Sequence, residues 1–198
     1  MRDYRPLPSQ TLSGQIMVCR PDPPKTVTLD SEAFDVMTDL KSIYAAVIEP
    51  QIGMDSAKQY MIQRGVRLLF VLNHDRSLAG LVTANDIQGE KPMRLVQERG
   101  VKHDEIRVAD IMTPLDRLEA MPMDEVRHSK VGHVLATLKG AGRQHALVTE
   151  HDGAHLVVRG MFSLSQIARQ LGISVQTSEI AKSFAEIEVM LTANSALA

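Results

Sequence analysis

The clearest chemical potential in this 198-residue chain lies in the run Thr83-Ala84-Asn85-Asp86. There an apolar stretch, Gly80-Leu81-Val82, gives way to helix-forming sequence. A hydroxyl followed three places on by a carboxylate can do two things at such a junction. Orphan backbone N–H groups and the dipole at a helix start favour an anion such as a phosphate. The two oxygens of the acid match a pair of vicinal hydroxyls. The same spacing is also close to a capping box, in which both side chains only satisfy backbone donors. A second run, Ser163-Leu164-Ser165-Gln166, keeps the hydroxyl but has an amide in place of the acid. Ser-x-x-Gln is a formal capping box. A neutral amide lacks the paired anionic acceptors, so this copy is expected to be weak, differently selective or vacant.

Other chemistries find little support. His74, His103, His133, His145, His151 and His155 show no metal-ligand spacing. His151 and His155 are four apart but flank Asp152-Gly153, a turn, so no metal site is expected. His133 and His145 read as partly buried neutral side chains. The single cysteine, Cys19, excludes a disulfide framework and suits a reducing compartment. No nucleophile elbow, Walker-type loop or paired-carboxylate constellation is present, so the chain reads as a non-enzyme with no catalytic residues. The formal net charge is −2 with signs interspersed, which argues against a nucleic-acid partner. No apolar stretch approaches the roughly 20 residues of a membrane span, and the charged N-terminus lacks the apolar core of a signal peptide. A soluble, cytoplasmic protein is the expectation.

These runs must be positioned by something that occurs twice. Gly65-Val66-Arg67-Leu68-Leu69-Phe70-Val71 is a turn residue followed by a short apolar strand, and Gly142-Arg143-Gln144-His145-Ala146-Leu147-Val148 follows it by 77 positions. Asp35-Val36-Met37-Thr38 answers Asp110-Ile111-Met112-Thr113, and Gly80-Leu81-Val82-Thr83 answers Gly160-Met161-Phe162-Ser163. Three extra residues in the second copy are expected in the turn Glu150–Gly153. The first copy predicts a strand over Ile43–Ile48, a helix over Met54–Arg64, strands over Arg67–Leu72 and Leu78–Thr83, and a helix from Ala84. The second predicts Leu118–Met121, Lys130–Lys139, Gln144–Thr149, Leu156–Phe162 and Leu164–Leu171 in the same order. Each unit is too small to bury both faces of its sheet, so the two must pack on each other.

The chain divides accordingly. Residues 1–27, with five prolines and no periodicity, read as an extended or disordered arm. Residues 28–100 hold the first repeat, 101–172 the second, and 173–198 an amphipathic helix and tail. From Ser178 to Leu191 the residues Ile180, Phe184, Ile187 and Leu191 form one stripe, suited to docking on its own domain or to a dimer contact. Aromatic content is only 4% with no Trp, so Met, Leu, Val, Ile and Ala must fill the interior.

The repeated order resembles the CBS domain family over roughly residues 31–172. The carriers are Asp110-Ile111-Met112-Thr113-Pro114, the Gly65–Val71 strand opening, and Gly80-Leu81-Val82-Thr83-Ala84-Asn85-Asp86-Ile87. The resemblance implies an α/β (α+β) fold of two βαββα repeats packed as a pseudo-two-fold pair, a free-standing Bateman module that commonly forms a homodimer. It implies a regulatory function, with AMP, ADP, ATP or S-adenosylmethionine bound in clefts between repeats and a regulated protein partner. The alternative is a ligand-free dimeric scaffold or interaction protein with degenerate clefts. On the resemblance, Thr83 faces phosphate, Asp86 the ribose hydroxyls, Leu81 the base or sugar, Asn85 belongs to the same motif, and Arg67 points into the cleft as an anion partner. An Arg at a strand end can equally reach solvent. Ser163, Gln166 and Gln144 form the expected second, weaker site. Arg127, His128 and Lys130 either supplement the charge or form a solvated turn.

Overall fold

The computed structural model describes residues 5–19, 26–173 and 180–195. In chain order the elements are β1 (Thr38–Asp39), β2 (Val47–Ile48), α1 (Met54–Arg64), β3 (Leu68–Leu72), β4 (Leu78–Thr83), α2 (Ala84–Gln88) and α3 (Glu90–Arg99). There follow α4 (Val108–Ile111), β5 (Thr113–Pro114), β6 (Ala120–Pro122), α5 (Met123–Arg127), α6 (Val131–Gly140), β7 (His145–Asp152), β8 (His155–Ser163), α7 (Leu164–Gln170) and α8 (Ile180–Ser195). The mixed α+β class and the two repeated units are as the sequence predicts. The Met54–Arg64 helix and the Leu78–Thr83 strand fall on their expected bounds. The strand expected over Ile43–Ile48 shrinks to Val47–Ile48, and Ile43 and Tyr44 are exposed, because only the last two residues reach β3 to pair. The three extra residues of the second copy do not sit in a turn. They lengthen the β7–β8 hairpin, whose ladder runs from His145↔Ser163 out to Asp152↔His155.

Two four-stranded sheets result, ordered β2-β3-β4-β5 and β1-β8-β7-β6. Their edge strands are exchanged. Thr38-Asp39, which precedes the first repeat's helix, pairs with Met161 and Gly160 of the second repeat. Thr113-Pro114, which precedes the second, pairs with Leu81 and Gly80 of the first. Neither sheet is therefore a continuous stretch of sequence. The cores follow the same exchange. Ile106, Val108 and Ile111 pack with Met54, Leu69, Val71 and Val82, whereas Val27, Ala33, Val36 and Met37 pack with Val134, Leu138, Val148 and Phe162. Val27, assigned to the arm from sequence, is buried at 3% exposure, and its N–H donates to the Gln170 carbonyl.

The unbroken apolar run Leu68-Leu69-Phe70-Val71 follows from this layering. Alternate strand residues face opposite ways, and both faces are covered. Leu69 and Val71 point to the helices of their own repeat. Leu68 and Phe70 meet Leu81, Leu147, Leu118 and Met161 in a third cluster between the two sheets. Gly65 and Gly142 stand before these strands at φ +63° and +60°, a left-handed turn that favours glycine. α8 docks on its own domain: Phe184 and Ile187 are buried in the second core and Leu191 packs against it. Ser178, where this helix was expected to begin, lies outside the described residues.

Gly80 and Gly160 mark where the exchanged strands lie closest. A Cβ at Gly160 would stand 2.8 Å from both the Thr38 carbonyl oxygen and the Met37 sulfur, and one at Gly80 would stand 2.4 Å from the Thr113 carbonyl oxygen. The β1 and β5 backbones can approach only because these positions have no side chain. Gly160→Ala is expected to destabilise the fold by about 1–3 kcal/mol through overpacking, read from the urea midpoint.

β1 is also held by charge. The Arg159 guanidinium grips the Asp39 carboxylate and stands 3.2 Å from Glu150, which in turn accepts from Lys41 at 3.0 Å and Arg127 at 2.9 Å. The hydrogen bond from Arg159 holds the Asp39 carboxyl below its usual range, and that from Lys41 does the same for Glu150. Both acids are therefore ionised in the fold at a pH where the unfolded chain has begun to protonate. Their stabilisation is complete above the unfolded values, about 4, and is lost as pH falls through the lower folded ones. Arg159→Met should cost stability at pH 7 but not at pH 2, measured by denaturation at each pH; an equal cost at both would remove the carboxylates from the explanation.

Candidate functional site

One cavity of about 270 Å³ lies between the repeats. From the first sheet it receives Leu68, Leu81, Thr83, Asn85 and Asp86, with Thr113 from the exchanged strand. Its opposite wall is the second repeat's strand opening, Gly142 to His145 and Leu147, with Leu118 and Glu119. The apolar floor continues the cluster between the sheets, while polar groups stand both where β4 hands over to α2 and on the opposite strand opening.

The capping reading of Thr83 and Asp86 is realised. Thr83 Oγ1 accepts from the Asp86 N–H at 3.2 Å, and Asp86 Oδ2 accepts from the Thr83 N–H at 2.8 Å and its hydroxyl at 2.7 Å. Asp86 Oδ1 takes a further bond from Lys91 Nζ, which also donates to the Ile111 carbonyl. Of roughly four lone-pair sites on a carboxylate, three are engaged. Asn85 reaches across the cleft, its Nδ2 donating to Gln144 Oε1 at 3.2 Å.

Thr83, Asp86, Leu81 and Asn85 thus share one cavity. The other expected residues are distributed differently. Gln144, assigned to the second site by its offset from Arg67, stands in the first cavity, because the fold sets the second repeat's strand opening against the first repeat's Thr83–Asp86 motif. Arg67 is exposed and lines a separate groove with Lys58, Met61, Ile62 and Gln88; its carbonyl oxygen accepts from the Ala84 N–H. Ser163 and Gln166 are absent from the cavity lining, and the capping box expected of them does not form. Gln166 Oε1 instead accepts from Thr38 on the exchanged strand, at 3.0 Å, and the Ser163 and Ser165 hydroxyls pair at 3.0 Å. Arg127, His128 and Lys130 are engaged with Glu150, the Asp124 carbonyl and Asp30, and none of the three lines the cavity. His133 is exposed and accepts from the Lys130 N–H. Among the described residues no group of three acidic, His or Cys side chains could hold a metal ion, and no helix is long and apolar enough to cross a membrane.

Three titratable lining residues escape sequence reasoning: Glu119, Arg143 and His145. Glu119 and Arg143 form an ion pair at 3.2 Å, with Glu119 largely exposed. His145 is half-buried, and burial with the nearby Arg67 cation pushes its imidazole down to about 4 against the pull of Asp86. The signal was present in the repeat: Arg143 and His145 flank Gln144, already paired with Arg67 by the offset.

Neither a model of any known protein family nor any curated protein matches the chain. Solved structures do. The chain is similar to an uncharacterized conserved protein from Pyrococcus horikoshii, with a TM-score of 0.53 and 22% identity, covering 77% of this chain and 100% of that one. It is similar to a CBS-domain containing protein from Agrobacterium tumefaciens, with a TM-score of 0.52, 14% identity and coverage of 72% and 94%. A third likeness is CBSX2 of Arabidopsis thaliana, crystallised in complex with AMP, with a TM-score of 0.50, 19% identity and coverage of 70% and 94%. The fold is that of a tandem CBS-domain pair.

Proposed function

We propose that the cleft binds an adenosyl nucleotide or related molecule, of the AMP, ATP and S-adenosylmethionine class, and that the chain is a regulatory sensing module. The observation that carries this reading is the composition of the cleft, with Thr83–Asp86 of one repeat facing Gly142–Leu147 of the other. An occupant touching both walls binds one arrangement of the repeats better than another, which is what a sensor requires. The cavity volume is near the lower bound for small-molecule sites. The likeness to CBSX2, crystallised with AMP, supports this choice of ligand class. A homodimer, a regulated protein partner and a cytoplasmic setting belong to the same proposal, which is of a binding module and not an enzyme.

The scaffold reading has its own observation. Asp86 is already bonded through both oxygens, and the Asn85–Gln144 pair spans the cleft, so these three side chains have partners without a ligand. A thermal shift with AMP, ADP, ATP and S-adenosylmethionine separates the two. A ligand at 100 times its Kd stabilises by about 2.7 kcal/mol, a rise of several degrees; no shift with any of the four favours the scaffold.

A further inference from the structure

His145 opens β7, opposite Ser163 of β8. Its imidazole lines both the main cavity and a smaller recess of about 100 Å³ that it shares with Glu119, Arg143 and Met121. Among the described residues the ring makes no hydrogen bond and no ion pair. A half-buried imidazole offers a donor and an acceptor nitrogen to whatever occupies the cleft. Its apolar neighbours Leu68, Leu81 and Leu147 penalise the charged form. The charges facing it are the Asp86 carboxylate from α2, which attracts a proton, and the Arg67 guanidinium before β3, which repels one. Arg143 and Glu119, already paired with each other, complete the wall, and Lys91 acts only through Asp86.

We propose that the cleft takes up a phosphate-bearing ligand together with a proton, and that His145 carries the proton. The inference rests on the reading of the cleft as a nucleotide site. In the free protein the imidazole is neutral near pH 7, held so by its surroundings. An anion within about 4–6 Å favours the charged ring, which also gains an acceptor for its N–H. By linkage, a ligand that raises the proton affinity of the ring binds more tightly as pH falls. The charged ring attracts a phosphate and repels a sulfonium, so acidification shifts selectivity from S-adenosylmethionine towards AMP.

The test is calorimetric titration of the full chain and its His145→Gln variant with AMP and with adenosine between pH 7.5 and pH 5.5, in buffers of differing ionisation enthalpy. Relative to the variant, the wild type should gain about 3–10-fold in AMP affinity over this range and take up more protons on binding. The variant reports the titration of the AMP phosphate itself, and adenosine should show no difference between the two proteins. In parallel, the His145 ring resonances of the wild type should titrate at higher pH with AMP bound than without, a readout that needs no variant. Equal proton uptake in both proteins, or an unmoved ring titration, overturns the inference while leaving the nucleotide reading intact. Absence of AMP and adenosine binding at every pH overturns that reading and this inference together.

Discussion

Asp86→Ala should weaken AMP binding by roughly 10–150-fold, the equivalent of about 1.5–3 kcal/mol for loss of a charged hydrogen-bond acceptor. The carboxylate has one lone-pair site left after its bonds to Thr83 and Lys91, and a ribose diol needs two acceptors. Ligand binding therefore requires Lys91 to release Oδ1, and Lys91→Met should tighten binding while Asp86→Ala weakens it. The same substitution removes half of a capping box, at about 1 kcal/mol of stability. Affinity and stability must be measured separately for that reason. Asp86→Asn keeps an acceptor for the backbone N–H but not the charge, and should lose affinity with a smaller stability cost. An Asp86→Ala protein with unchanged Kd would falsify the site assignment, whatever its melting temperature.

The second large effect is on folding itself. His145 stays neutral in the fold down to about 4, whereas in the unfolded chain it titrates at its ordinary 6.5. Below pH 6.5 the unfolded chain binds this proton first. Stability from this residue is thus complete above pH 6.5 and falls continuously as pH drops towards 4. A separation of this size amounts to about 3 kcal/mol, a large share of the 5–15 kcal/mol that holds a typical domain. The carboxylates at β1 act only below this window, so the two contributions are separable. Denaturation of wild type and His145→Gln at pH 7 and pH 4.5 should show most of the wild-type loss abolished in the variant. Parallel losses in both proteins would mean that His145 is not held neutral by the fold.

Much of the architecture was legible because the signals were local and stated twice. Met54–Arg64 has a helical stripe ending at Gly65, and Leu68–Leu72 is apolar at every position because both faces of β3 are covered. Half of the cleft was legible for the same reason: Leu81, Thr83, Asn85 and Asp86 are consecutive or nearly so, and one strand-to-helix junction brings them together. The opposite wall was not. An offset comparison matches Gln144 with Arg67 and so assigns each to its own repeat, whereas the fold sets Gln144 against Asn85 of the other. His145 bears no local sign of its role, since its surroundings come from Asp86 and Arg67, both remote in sequence. The exchange of edge strands was equally hidden. Asp35–Thr38 and Asp110–Thr113 announce themselves as equivalent, but nothing in either says to which sheet it goes.

That exchange limits what kind of machine the pair can be. Each half grasps the other's edge, at Thr38↔Met161 and at Leu81↔Thr113, so the cleft cannot gape like a hinged lid without breaking backbone ladders on both sides. A ligand between Asp86 and Gln144 would meet halves that can slide or roll by small amounts only. A severed half would carry away an edge strand that completes its neighbour's sheet, so the two halves are expected to fold only as a clasped pair.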